Sequence, residues 1–351
     1  MQLPRFTRNQ RKFKLALPGY HYSFPRDHCA HKEFQIEWWY HVGHLDTENG
    51  GRFGYELTFF RRAIERPFEA LITLNQDLYF AHFALTDKNE KRFAYFQRIN
   101  ILPDIRARAD ENRLCVTNGA WSLKAEGDAM HLQVKTKAHG LNLRLVPVKP
   151  PVVHGIDGVS QKADGVGRAS HYISITRSQT TGQLTFAGKQ HTVSGISWMD
   201  HEFGSNQLTS QQVGWDWFCI QLENNVEVMV YLMRKDDGTF DHNSSGTVVH
   251  ADGASTHIRS NEFSVTATGK WTSPKSGGTY PMGWIIRIPG QNMELKITPT
   301  VEDQELAALN SKGVSYWEGA SDVEACIAGS VVPGTCYAEL IGYAEALPRD
   351  M

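Results

Sequence analysis

The sequence has no apolar run of the ~18 residues that a membrane-spanning helix needs. It also has almost no charge imbalance: 36 Lys and Arg stand against 38 Asp and Glu, a net charge of −2. That leaves no electrostatic footprint for an anionic membrane surface, and no nucleic acid partner is expected. Cysteine is scarce. Cys29, Cys115, Cys219, Cys326 and Cys336 are odd in number and form no CxxC pair, which argues against a disulfide framework or a zinc ribbon, though not against a single bridge. There is no Gly-x-Ser-x-Gly elbow, P-loop or GxGxxG fingerprint, so serine hydrolase, nucleotide and dinucleotide chemistry have no support, and no cofactor is expected. Arg5, Arg8, Arg11, Lys12 and Lys14 have no apolar stretch behind them and do not make a signal peptide as they stand. Localisation stays open: periplasmic if a leader was removed, otherwise cytoplasmic. Helical periodicity is nearly missing too. Its best instance, Val301 to Leu309, is too short to organise a domain.

What is present is the two-residue period of half-buried strands. Leu141-Asn142-Leu143-Arg144-Leu145 alternates apolar and polar, as do Met293 to Ile297, Tyr55 to Phe59 and His171 to Arg177. Gly- and Asn-bearing turns punctuate these runs at Glu48 to Gly51, His139-Gly140, Glu223 to Asn225 and Asp236 to Gly238. The 351 residues are 41% hydrophobic and 11% aromatic, an ordinary globular composition long enough for two domains. The expectation is an all-β protein of meandering antiparallel strands.

The chain also repeats itself. Trp39-Tyr40-His41-Val42, a turn, then Gly54 to Arg62 is echoed by Trp217-Phe218-Cys219-Ile220, a turn, then Val228 to Lys235. Gly119-Ala120-Trp121-Ser122 matches Gly269-Lys270-Trp271-Thr272, and Leu143 to Pro147 matches Leu295 to Pro299. A tyrosine-bearing strand is expected to close each half, at His171-Tyr172-Ile173 and at Cys336-Tyr337-Ala338. Each unit, at roughly 140 residues, is long enough for the eight strands that close into a barrel holding one small ligand. The division expected is an extension over 1–34, a first barrel over 35–183, a connecting segment without counterpart over 184–207, and a second barrel over 208–351.

Phe24 to His28, Glu37-Trp38-Trp39-Tyr40, Gly54 to Arg61, Ala81 to Ala84 and Trp198-Met199-Asp200-His201-Glu202-Phe203-Gly204 together resemble the AttH-like family, which includes carotenoid 1,2-hydratase. The resemblance implies two tandem lipocalin-like (calycin) antiparallel β-barrels and a role with hydrophobic small molecules such as lipids or isoprenoids. It also implies a tryptophan of the first strand, Trp38 or Trp39, packing on Arg177. The hydratase relatives carry a histidine matched by His201 and a Tyr-x-Asp pair matched by Tyr231 and Met233. A thioether cannot donate the proton that hydration of a C=C bond requires, so a nearby carboxyl would have to, and only if burial raises its pKa.

The residues themselves nominate Asp200, His201 and Glu202 as catalytic candidates, and the resemblance adds Tyr231. Glu37, Trp39, Tyr40, Tyr55, His82, Tyr172, Trp198, Phe203 and Trp217 are nominated as ligand-binding ones. On an extended strand Asp200 and Glu202 share a face that His201 does not, so convergence needs a bend; the plainer reading is a hydrogen-bonded corner. Glu37 needs a partner if buried, and Arg61, Arg62 or Arg177 can supply it. Most of the tyrosines read equally as barrel packing. His28 to His31 and His41 to His44 have HxxH spacing but lie off a helix, so no metal is expected. Three readings follow: a binder of a hydrophobic small molecule in a barrel or between barrels, an enzyme of hydratase, isomerase or cyclase type acting on it, or a non-catalytic scaffold for a membrane- or transporter-associated partner.

Overall fold

The computed structural model describes residues 12–63, 77–100, 106–307 and 314–346, and it is all-β. The first sheet holds β1 (Ile36–Asp46), β2 (Arg52–Ala63), β3 (Asp77–Asp87), β4 (Arg92–Asn100), β5 (Ala107–Ala109), β6 (Cys115–Asn118) and β7 (Trp121–Glu126). It continues with β8 (Ala129–Lys135), β9 (Gly140–Pro147), β10 (Val152–Val153), β11 (Ser160–Gln161), β12 (Ala169–Phe186) and β13 (Lys189–Gly204). The second sheet holds β14 (Gln212–Leu222), β15 (Glu227–Lys235), β16 (Ser245–Val249), β17 (Ser255–Arg259) and β18 (Ser264–Thr272). It is completed by β19 (Thr279–Ile288), β20 (Met293–Pro299), β21 (Glu305–Leu306), β22 (Tyr316–Ile327) and β23 (Ser330–Ile341). Both sheets are antiparallel and curl around an apolar interior, as the resemblance implies for lipocalin-like barrels.

The strand orders make the duplication explicit. The first runs β4-β3-β2-β1-β13-β12-β9-β8-β7 before its last two strands, and the second runs β17-β16-β15-β14-β23-β22-β20-β19-β18. Three of the repeated landmarks therefore fall on equivalent strands: β1 with β14 and β2 with β15, β7 with β18, and β9 with β20. The fourth is displaced. β12 corresponds to β22, and the partner of β23 is β13, the strand that carries Trp198 to Gly204. Most of 184–207, expected as a connector without counterpart, thus belongs to the first sheet, as the end of β12 and all of β13 up to Gly204. β13 pairs with the whole of β1 through Ser194 to Gly204 and with β12 through a long hairpin. Sequence similarity misplaced the equivalence because it followed a tyrosine rather than the pairing order.

Two further expectations change. Among residues 301–307 the chain forms β21 on the edge of β22 instead of a helix, and residues 308 and 309 lie outside the described range. Arg177 does not meet Trp38 or Trp39. It sits at an irregularity in the β12–β13 pairing between Ile175 and Ser178 and reaches across to the second sheet, donating to Glu227 Oε1 at 2.5 Å and the Leu222 carbonyl at 2.7 Å. Trp39 instead stacks on His201, with ring centroids 4.8 Å apart.

Each barrel interior is lined by apolar side chains. Odd-numbered residues of β1 and β2 (Trp39, Leu45, Tyr55, Leu57, Phe59) point into the first core with Phe83, Trp121 and Leu143. Phe218, Val230, Trp284 and Trp317 fill the second. The alternate faces of β1, β2, β12, β13, β14, β15, β22 and β23 pack against each other, so the outer surfaces of the two sheets become a third buried layer. Gly54 allows this approach: a Cβ there would stand 2.7 Å from Ala320 Cβ and 2.9 Å from the Tyr337 hydroxyl.

Candidate functional site between the barrels

Strand register lays out this seam row by row. On the first barrel one outward row reads Tyr172, Glu202, Trp38, Phe60, Phe80; the next reads Ser174, Asp200, Tyr40, Thr58, His82; the third reads Trp198, Val42, Glu56, Ala84, Tyr95. On the second barrel the facing row is Tyr231, Trp217, Glu339, Glu318. The strict two-residue period thus places Asp200, Glu202 and Tyr231 in the seam and sends His201 to the other face of β13.

Asp200 is fully enclosed. It accepts from the Tyr172 hydroxyl at 2.6 Å, Trp198 Nε1 at 2.6 Å and the Ser174 hydroxyl. Burial nevertheless wins over these donors and pushes its carboxyl up to about 7. Trp217 Nε1 donates to the Tyr172 hydroxyl at 2.9 Å, so the chain of polar contacts crosses from one barrel to the other. Glu202 is held by Ser170 and by Lys162 at 3.2 Å. The same ammonium lies 4.2 Å from the centre of the Tyr231 ring, and that hydroxyl is within 3.0 Å of Ser160 and Ser245.

The groups that sequence reading missed are Glu56, Glu318 and Glu339. Glu318 and Glu339 are direct cross-strand partners; Glu56 and Glu318 are buried and Glu339 is half-buried. Among the described residues none of them has a cation within ion-pair distance. Trp215 Nε1 donates to Glu339 at 3.0 Å and Thr58 to Glu56, while one oxygen each of Glu56 and Glu318 has no partner. The buried Tyr40 hydroxyl faces Glu318 without completing a hydrogen bond. Burial pushes Glu56 up to about 8 and Glu339 to about 7; Glu318 rises for the same reason, reinforced by the other two carboxyls. The seam therefore holds carboxyls that keep their protons to higher pH than an ordinary carboxyl does, an unusual condition that marks acid–base sites more often than structural ones. His82, also buried and kept neutral by desolvation, meets the Tyr316 hydroxyl of the other barrel at 2.6 Å.

At the open side of the seam the rings are only half-buried. Trp38, Phe60, Phe80, Phe93, Tyr95 and Trp215 form an aromatic rim beside the acids, with Phe60 and Phe80 stacked at 4.4 Å. Two hollows of about 420 and 410 Å³ open elsewhere. The first lies by Leu232, Phe240 and Phe263, the second by Phe53, Phe186 and Arg92, and neither touches the carboxyl layer.

The remaining candidates separate from this site. Tyr55 points into the first core and donates to Ser197 at 2.6 Å, a packing role. His201, Glu37, Trp39 and Phe203 gather at the end of the first barrel, under the segment before β1. Arg61 donates to Glu37 at 3.1 Å, and the histidines His31 and His201 each place a ring nitrogen 3.0 Å from Glu37 Oε1. Glu37 is held well below the usual carboxylate range: desolvation is outweighed by His201, His31 and Arg61. It cannot be the acid. The four nominated catalytic residues thus do not converge: Asp200, Glu202 and Tyr231 share the seam, and His201 belongs elsewhere. Met233 also faces the seam, on the strand of Tyr231, and contributes no acid there.

Two curled antiparallel sheets with apolar interiors and an ionisable layer between them define a tandem lipocalin-like protein. The comparisons narrow that class. The chain belongs to the AttH-like family, whose profile spans residues 15–343. A protein of Nitrosomonas europaea described as AttH is 30% identical, with a TM-score of 0.84 over 94% of this chain and 100% of that one. Kievitone hydratase of Nectria haematococca shares the fold at 14% identity, with a TM-score of 0.72 over 96% and 98% of the two chains. CghA with Sch210972 shares it at 11% identity, TM-score 0.57, over 95% and 96%. A search of curated proteins returned no match.

Proposed function

We propose that this protein binds a hydrophobic small molecule of the lipid or isoprenoid class in the seam between its barrels and acts on it by acid–base chemistry of the hydratase, isomerase or cyclase type. The observation that carries this reading is the set of carboxyls, Glu56 and Glu318 buried and Glu339 half-buried, that lack cationic partners and stand behind an aromatic rim. A neutral carboxyl can give its proton to a C=C bond; Trp217, Tyr40 and Trp215 offer π-faces to the cation formed, and Asp200 can accept the proton of an attacking water. Water addition then returns the proton count to its starting value. The loss of an acid at Met233 is met by carboxyls on neighbouring strands. Fold-mates that include a hydratase, and a protein crystallised with Sch210972, support the reading only at the level of architecture.

The test is incubation with geranylgeraniol and with oleic acid in deuterated buffer, reading tryptophan quenching for binding and deuterium at carbon for proton transfer. Quenching that survives in Glu318→Gln/Glu339→Gln while deuterium incorporation vanishes supports the enzyme. Quenching without incorporation in the wild type leaves a carrier. Absence of both refutes the reading for these two classes.

A further inference from the structure

The cluster at the end of the first barrel has a pattern the seam chemistry does not use. His31 Nδ1 and His201 Nε2 both face Glu37 Oε1 at 3.0 Å, and all three residues are fully buried. Their other ring nitrogens are tied to one residue. His31 Nε2 meets Asp27 Oδ1 at 3.0 Å, and His201 Nδ1 meets the Asp27 backbone carbonyl at 3.0 Å. A carbonyl only accepts, so His201 Nδ1 carries a hydrogen, and a carboxylate draws one onto His31 Nε2. In the neutral rings, lone pairs would then confront a carboxylate oxygen on both sides. Something positive has to lie between them. Arg61 donates to Glu37 and to Asp77 and does not reach the space between the two histidines and Glu37 Oε1.

We propose that His31 Nδ1, Glu37 Oε1 and His201 Nε2 bind one divalent transition metal ion of the zinc class, which fastens the segment before β1 to the first barrel. The ligand atoms lie within 4.8 Å of one another. A tetrahedral ion with bonds of ~2.0–2.1 Å has edges of about 3.3 Å, so the two 3.0 Å contacts to Glu37 need to open by a few tenths of an ångström, while the two histidine nitrogens, within 4.8 Å of each other, need to settle at that same edge. Asp27 supplies what metal-bound histidines characteristically have, an acceptor on the far nitrogen that fixes tautomer and ring plane. Asp27 is itself fixed by Tyr20 at 3.0 Å and the Ser23 amide at 2.6 Å. The HxxH spacing gave no hint, because only His31 of that motif takes part and the other ligands come from β1 and β13.

Metal analysis of untagged protein exposed to Zn²⁺ and then freed of excess is expected to give one equivalent per chain. Co²⁺ in its place is expected to give d–d absorption in the visible, and chelation to lower the melting temperature. His201→Gln is expected to lose that equivalent, and Asp27→Asn to weaken affinity ~10–100-fold as an outer-shell change does. If a variant fails to fold, the cobalt spectrum of the wild type decides alone. No cobalt bands, with a melting temperature indifferent to Zn²⁺ and chelator, would overturn the proposal and leave ring protons of His31 and His201 in the metal's place. Zinc retained by a folded His201→Gln would overturn it equally.

Discussion

Replacing Glu339 by glutamine probes the seam through stability, with no substrate needed. The folded carboxyl titrates near 7 instead of the ordinary 4.5. Below about pH 4.5 both folded and unfolded chains hold this proton. Between 4.5 and 7 the unfolded chain releases it and the folded chain keeps it, so stability falls as pH rises, by about 1.4 kcal/mol per pH unit. The whole window is worth about 3 kcal/mol, and above it the loss is constant. The groups facing this carboxyl are Glu318, Glu56, Tyr40, Trp215, Asp200 and Glu202, none of which is cationic. An amide mimics the neutral acid and cannot ionise. Urea unfolding of wild type and Glu339→Gln from pH 5 to 8.5 is therefore expected to show near-equal stability at pH 5 and a flatter profile for the variant, which becomes the more stable protein at pH 8. An unchanged slope, or a variant less stable at pH 8, refutes the claim that the seam stores protons.

Other perturbations reach different parts of the account. Gly54→Ala drives a methyl into Ala320 and Tyr337 and is expected to cost about 1–3 kcal/mol, read as a lower melting temperature. Arg177→Met leaves the fully buried Glu227 with Lys149, 2.6 Å away, as its remaining ion-pair partner; breaking such a buried pair costs about 3–5 kcal/mol in chemical unfolding. Phe60→Ala and Phe80→Ala remove half-buried rim rings. They are expected to weaken geranylgeraniol quenching while changing stability by no more than about 1 kcal/mol, and equal binding by wild type and variants would detach the rim from the ligand.

Much of this was readable in the sequence, and what was not has a physical cause. Alternation in Leu141 to Leu145 and Met293 to Ile297 is legible because one face meets a core and the other meets water. The same period correctly separates His201 from Asp200 and Glu202. It misleads at Glu56 and Glu318, each a polar residue beside apolar neighbours and so readable as solvent-facing. Their outer face is buried by the opposite barrel, a contact between residues far apart in the chain. The signal was present in Glu37-Trp38-Trp39-Tyr40, Trp217-Phe218 and Tyr316-Trp317-Glu318, where aromatics occupy both faces and alternation breaks down. Strands apolar on both sides are covered on both sides. Arg177 was misassigned because an irregularity in the β12–β13 pairing shifts its register, and no periodic pattern announces that.

A photoreactive geranylgeraniol analogue, crosslinked to the protein and mapped by peptide mass spectrometry, locates the ligand directly. Labels on Trp38, Phe60, Phe80, Tyr95 or Trp215, around the buried carboxyls, are the predicted result. Labels confined to the hollow near Phe53 and Phe186, or to the one near Phe240 and Phe263, would contradict a site between the barrels.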